Sequence, residues 1–353
     1  MDVRLKCLVI LMLAAFVSAC SSGPKPANRG PVFESGRIVY PAAPAAPVVE
    51  WIGAISTRSD VDSRKRTLKK VLVGEGEQEP SLMAPTAVAI GPDGTLYVVD
   101  QHLRGVAIIN REQRRFELFR GSSPGSLFEP VGVAVAEDGT LYVSDARSQA
   151  VYAYDSDLRF IEAYGGAEVF SRPTAIALAP GGDRLAVCDT DRHTVDVFDT
   201  NQGSTLFTLG GHEHSSRDGE FNFPVAVAFD GEGYLYVSDY LNFRIQVFDR
   251  AGDLDLIFGS AGDRPGDLNR PRGLAADASN GVLYEVDGAF QLVQMFNLDG
   301  ELLMWFGEPG QGPGQFSLPS GIARRDDLLV IADTLNHRVQ LFRFLGSPQT
   351  SDN

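Results

Sequence analysis

Three cysteines in 353 residues are too few for a disulfide framework. Basic side chains are also in deficit, with 31 Lys and Arg against 46 Asp and Glu and a formal charge of −15. Binding a phosphate backbone needs concentrated positive charge, so no nucleic-acid partner is expected. The longest apolar run, "CLVILMLAAF" at 7–16, is too short to persist as a membrane-spanning helix. Apolar residues at helical spacing are scarce, and no Gly-x-Ser-x-Gly, phosphate loop or dinucleotide fingerprint occurs. Abundant instead are 37 Gly and 20 Pro, in a chain that is 44% hydrophobic and 22% charged. That balance supports a large core made of short strands joined by turns, an all-β protein.

The first 19 residues stand apart from that fold. Arg4 and Lys6 precede the apolar run, and small residues follow it before Cys20, the layout of an export signal. "VSAC", with Val17 and Ala19 before Cys20, resembles the lipobox of bacterial lipoproteins, which implies lipidation at Cys20. Ser21 after the cysteine is consistent with outer-membrane sorting. Cleavage removes Cys7, and lipid occupies Cys20, so Cys188 remains as a lone thiol in the strand-like "RLAVCDT" and reads as a small buried hydrophobe. Loss of Asp2, Arg4 and Lys6 leaves the mature chain one charge more negative. Residues 20–47, with "PAAPAAP" and no periodic apolar face, read as a tether.

From residue 80 the sequence repeats, and a period of 40 to 50 residues marks an array. Pro85, Pro130, Pro173, Pro224, Pro271 and Pro319 begin six units, and fourteen to sixteen residues after each stands Asp100, Asp145, Asp189, Asp239, Asp287 or Asp333. Within a unit, alternating β-branched and aromatic runs are separated by turns such as "PDG", "EDG" and "RAGD", which predicts four antiparallel strands. One such sheet cannot bury both faces, but sheets set radially cover one another, as in a six-bladed β-propeller. Small residues recur after each proline ("PTAVA", "PVGVA", "PRGLA"), suited to inner strands that converge on an axis. The sixth unit supplies only three strands. "VVEWIGAIS" at 48–56 lies before the first unit without partners, so it is expected to be the outer strand of blade six, closing the ring. The propeller thus covers 48–345, with a basic connector at 57–80 and a short tail at 346–353.

The units resemble NHL repeats. The signature is clearest in "ADTLNHRVQLF" (332–342) and "SDYLNFRIQVF" (238–248), and in the linkers "GQFSLP", "GEFNFP" and "GDLNRP". The other four units depart from its Asn-x-Arg portion, with Leu103 and Gly105, Ser148 and Ala150, Arg192 and Thr194, Phe290 and Leu292. The resemblance implies a propeller of four-stranded blades.

Each of the six aspartates ends a strand before a turn, where a carboxylate accepts hydrogen bonds from nearby amides, so they read as structural. The amidating lyase of peptide hormones, which NHL repeats resemble, holds zinc with histidines directly after the blade prolines; here those positions are Thr86, Val131, Thr174, Val225, Arg272 and Ser320. Lactonase-type propellers need a carboxylate and amide cluster around a channel metal, and the inner strands are aliphatic and small. The available histidines are His102, His193, His212, His214 and His337. Of these, His212 and His214 form a His-x-His pair in a Gly-rich loop, a solvated insertion or a chelating pair. Residues 64–70 carry five cations beside Leu68 and Leu72, which reads as a solvated connector or as a lipid-facing basic helix.

The expectation is a monomeric, exported propeller, lipid-anchored at the cell envelope, with no catalytic residues, cofactor or metal. Such a protein binds or scaffolds a protein or an anionic envelope polymer; a metal-dependent lyase or lactonase is the alternative. Loops entering the inner strands and turns after the second strands form the variable face. They carry Arg147, Arg172, Arg192, Arg217, Tyr240 and Arg272, of residue types enriched at interaction hot spots.

Overall fold

The computed structural model describes residues 32–34, 37–41, 45–62, 79–211, 213–277 and 279–346. Cys20, the basic run 64–70, His212 and residues 347–353 lie outside the described residues.

The chain forms six antiparallel blades, each adding strands outward from an inner strand that starts at the repeat proline. Blade four is representative: Pro224–Phe229, Leu235–Asp239, Arg244–Phe248 and Leu254–Phe258. Consecutive inner strands pack side by side around the whole ring, including the sixth against the first. Hydroxyls tie neighbouring blades near the axis. Thr190 Oγ1 donates to the Pro224 carbonyl at 2.8 Å, Ser238 Oγ to that of Pro271 at 2.9 Å, and Thr334 Oγ1 to that of Pro85 at 2.7 Å. At Gly132 and Gly273 a Cβ would collide with the carbonyl of the next inner strand, so the small residues permit the close approach.

Between blades, alternate side chains form continuous apolar clusters, such as Val195, Val197, Phe221, Val237 and Phe248 between blades three and four. Cys188 is fully buried within that cluster, and burial pushes its thiol up, so it behaves as an inert core side chain.

The ring closes through the N-terminal segment. Val49–Ile55 pairs antiparallel with Arg338–Phe344, with Val49 opposite Phe344 and Ile55 opposite Val339. This strand is the fourth of blade six but not its outermost. Arg37–Tyr40 pairs on its far side, and Val32–Glu34 follows. Ile38, Val39 and Tyr40 are buried, and the Tyr40 hydroxyl donates to the Gly314 carbonyl at 3.1 Å. Arg37 forks onto Glu50 at 2.6 and 2.7 Å, and this hydrogen bonding holds the Glu50 carboxyl below its usual range. A tether reaching residue 47 is therefore corrected: "RIVY" is blade structure, an alternating run too short to stand out between Pro-rich flanks.

Candidate functional site

The prolines that start the inner strands and the aspartates that end the second strands lie at one end of the blades, here termed the upper face. All six aspartates have no exposed surface. They reach further than a turn cap. Asp145 accepts from the amides of Phe128 and Glu129, at 2.6 and 2.8 Å, and from Ser148 at 2.8 Å. Asp100, Asp189 and Asp287 likewise accept from the loop before their own inner strand and from the turn that follows. Each carboxylate thus joins the two loops of its blade.

Blades four and six add side-chain donors. Asp239 accepts from Asn222 N, Asn242 Nδ2, Arg244 Nε and Gln246 Nε2. Asp333 accepts from Ser317 N, Asn336 Nδ2, Arg338 Nε and Gln340 Nε2 in the same way. Carboxylates engaged by this many donors are acceptors of fixed geometry, with their lone pairs directed into the fold.

The candidate contact residues separate into a rim and a channel. Arg147 lies over the Phe128 ring, 6.0 Å from its centroid. Arg172 pairs with Glu129 at 3.2 Å, both half-exposed. Glu129 and Arg172 hold the same place, one residue before the proline, in consecutive units; equal positions in neighbouring blades are spatial neighbours, a signal present in the sequence. Arg192 donates to the Val169 carbonyl within its own blade, and Arg217 pairs with Glu220 at 3.0 Å. Tyr240 and Arg272 instead line the axial cavity of about 410 Å³, together with Thr86, Gln101, Thr190 and Ser320. Below them the wall is aliphatic, formed by residues such as Val88, Ile176 and Leu274. The structure therefore brings Arg272 and Tyr240 together but places Arg172 on the rim.

The lower mouth is spanned by paired charges. Arg324 meets Asp277 at 2.8 Å, and Arg325 of blade six reaches Glu137 of blade two at 2.7 Å.

Sequence reasoning missed the apolar part of the upper face. Met83, Phe128, Phe223, Leu241 and Leu335 are all exposed there, five of the nine exposed large hydrophobics among the described residues. Each lies in a loop before a blade proline or two residues after a strand-ending aspartate, so apolar residues at turn positions were the available signal. His193 helps to hold this surface: its Nδ1 accepts from the Phe223 amide at 3.2 Å, and its ring meets those of Phe223 and His214 at 5.0 and 6.0 Å. Burial, with His214 nearby, lowers its pKa below the ordinary 6.5, which keeps that nitrogen free to accept. His337 contacts the Met83 carbonyl. Among the described residues, no three His, Cys, Asp or Glu side chains are grouped to hold a metal.

One buried carboxyl belongs to no such latch. Glu285 is fully buried in blade five, receives Gln294 Nε2 at 3.2 Å, and has no partner for Oε1 among the described residues. Burial, then the charge of Asp287, pushes its pKa well above the ordinary 4.5. The folded chain therefore keeps a proton that the unfolded chain releases above that value, and stability falls with rising pH by up to about 1.4 kcal/mol per unit until the folded pKa is reached. Glu285→Gln removes this slope while still accepting from Gln294. Its Tm at pH 8 should exceed the parent's and the two should converge near pH 4; equal melts at pH 8 would show that Glu285 ionises without cost.

No protein-family profile matches the chain. A stretch of 119 residues is 28% identical to the human E3 ubiquitin-protein ligase NHLRC1, covering 34% of this chain and 28% of that protein. The rat protein of the same name matches at 26% over 122 residues. The chain thus spans under a third of the length of these relatives. Among solved structures, virginiamycin B lyase from Staphylococcus aureus superposes with a TM-score of 0.56 at 13% identity, over 76% of this chain and 99% of that one. A protein of unknown function from Bacteroides thetaiotaomicron does so with a TM-score of 0.57 at 16% identity, over 74% and 70%. At these identities the structural likeness is one of fold.

Proposed function

Taking the chain as an NHL-repeat six-bladed propeller, we propose that it is a non-catalytic binding or scaffolding module, monomeric and lipid-anchored through Cys20 at a bacterial cell envelope. Its upper face takes a protein partner that presents acidic residues. The observation that carries this reading is the composition of that face: Met83, Phe128, Phe223, Leu241 and Leu335 exposed beside Arg147, Arg172, Tyr240 and Arg272. In a chain of charge −15, a face that sets exposed apolar side chains beside Arg147 and Arg272, neither of them in an ion pair among the described residues, differs from the rest of the surface, and aromatic residues with arginine dominate interface energetics. Exposed aromatic and aliphatic side chains favour a protein over an anionic polymer. A lyase or lactonase reading is disfavoured because, among the described residues, the upper axial cavity is lined by no carboxylate or histidine, Asp277 and Glu137 at the lower mouth are paired with Arg324 and Arg325, and the six aspartates are occupied as latches.

The test is recovery of partners from solubilised membranes with the lipidated parent, Cys20→Ser and the double variant Arg172→Glu, Arg272→Glu. The parent is expected in the membrane fraction with an acidic protein. Cys20→Ser should leave that fraction, since acyl chains supply roughly 0.8 kcal/mol per buried methylene. The double variant should lose its partner by on the order of a hundredfold or more in affinity, with little change in Tm. Retention of Cys20→Ser after a high-salt wash would remove the anchor, and unchanged recovery by the double variant would remove this face. Recovery of a polymer instead would overturn the choice of partner.

A further inference from the structure

Arg272 is the one charged side chain lining the upper axial cavity, and it forms no hydrogen bond or ion pair among the described residues. Its Nε is buried without an acceptor, and Thr86 Oγ1, lining the same cavity, is buried without a partner. Three other cations near the channel mouths have carboxylate partners, Arg172 in Glu129, Arg324 in Asp277 and Arg325 in Glu137, although Arg324 Nε is likewise buried without an acceptor of its own. A guanidinium of a half-buried side chain whose Nε is shut away from water without an acceptor carries a cost to the fold, and such groups persist where something else supplies the acceptor.

Blade five is also built to accommodate this side chain. The residue after the strand-ending aspartate is Gln101, Ala146, Thr190, Tyr240 or Thr334 in the other blades, but Gly288 in blade five. A Cβ at Gly288 would lie 2.8 Å from Arg272 Cδ and 2.9 Å from Nε. The one arginine after a blade proline and the one glycine after a blade aspartate therefore occur together, the second making room for the first.

We propose that the upper mouth of the channel is a binding site for a small organic carboxylate, with Arg272 as its anchor. The proposal rests on the reading of the upper face as the binding face, and adds a discrete ligand to it. A single guanidinium matches a monoanion through its two-donor fork, whereas a phosphate dianion held in a protein of charge −15 would call for more than one cation. The hydroxyls of Thr86 and Tyr240 suit a ligand with an oxygen next to its carboxylate, whereas those of Thr190 and Ser320 are spent on the Pro224 and Thr86 carbonyls, and the aliphatic wall below suits a short apolar body. A cavity of about 410 Å³ is within the size range of small-molecule sites.

Titration calorimetry with lactate, hexanoate and inorganic phosphate, each to about 10 mM, on the purified full-length Cys20→Ser chain, as the parent for the changes below, tests this. At least one carboxylate should bind the parent more tightly than phosphate does. Arg272→Met should weaken that binding by roughly tenfold or more with an unchanged or higher Tm, because an unpaired buried donor is removed. Gly288→Ala, which keeps the charge but displaces the side chain, should weaken it as well, and Arg325→Gln at the lower mouth should leave it intact. Three results would each overturn the proposal: no carboxylate binding to the parent, binding that survives Arg272→Met, or phosphate binding more tightly than both carboxylates. A fall in Tm for Arg272→Met would likewise assign that side chain to the fold. Partner recovery that depends on the upper face, without carboxylate binding, would leave the reading of the face standing and sink this inference alone.

Discussion

A chain shortened to begin at Thr57 is expected to lose its cooperative melt and to associate. Val48, Val49 and Ile55 are buried to 4%, 0% and 1% exposure, and Ile38 and Tyr40 belong to the same apolar cluster as Phe342 and Phe344. Withdrawing five such side chains, at about 1.5 to 3 kcal/mol each, approaches the whole 5 to 15 kcal/mol by which domains are typically stable. The loss also uncovers Arg338–Phe344 as an open edge, and Trp51 Nε1 no longer reaches Gln340 Oε1 at 2.9 Å. A chain beginning at Arg37 should melt like the parent. One beginning at Val48, which further lacks the Arg37–Tyr40 strand but keeps Val49–Ile55, should fall between the two. Thermal melts with size-exclusion chromatography on the three chains measure this, and a cooperative, monomeric melt at the parent's temperature for the Thr57 chain would refute closure as the source of stability.

The six aspartates should differ in cost although they look alike in the repeat. Asp333→Ala is expected to destabilise by about 3 to 5 kcal/mol, because it leaves the largely buried guanidinium of Arg338 without its carboxylate, and Asp239→Ala by about 3 kcal/mol, because Arg244 keeps the exposed Asp218 at 3.2 Å. Asp145→Ala frees only backbone amides near the surface and should cost about 2 kcal/mol. Asn in place of Asp333 offers one oxygen but turns an amide nitrogen toward donors, so it should recover little. Adding Arg338→Leu to Asp333→Ala should cost less than the sum of the two single changes. Denaturant unfolding of these variants decides the matter: equal costs in blades two, four and six would mean that the amide contacts alone set the energy.

Reading the sequence as repeats succeeded wherever structure is set by residues close together in the chain. The prolines, the strand-ending aspartates, the Gly turns and the alternating apolar runs act within one blade, and they repeat six times, so chance matches are averaged away. Closure was legible for a different reason: a missing fourth strand and a strand without partners are both visible by counting. "RIVY" was not legible, because one short alternating run carries little signal and its burial depends on a surface formed by Phe342, Phe344 and Gly314, some 300 residues away.

The candidate site divides the same way. That loops of one end carry arginines could be read directly, since blade connectivity puts every residue before a proline, or after a strand-ending aspartate, on one face. Whether each arginine is free or spent could not. Arg172 is neutralised by Glu129 from the preceding blade, Arg192 is turned into its own, and Arg272 is left facing a cavity that the residues of six blades form together. By itself the sequence determined the propeller, its strand order and the face on which its variable loops gather, because those follow from local periodicity and from covalent order. Tertiary structure alone decided which charges are paired, which glycine makes room for which side chain, and where Glu285 is stranded from water, because pairing and desolvation depend on atoms brought together from different blades.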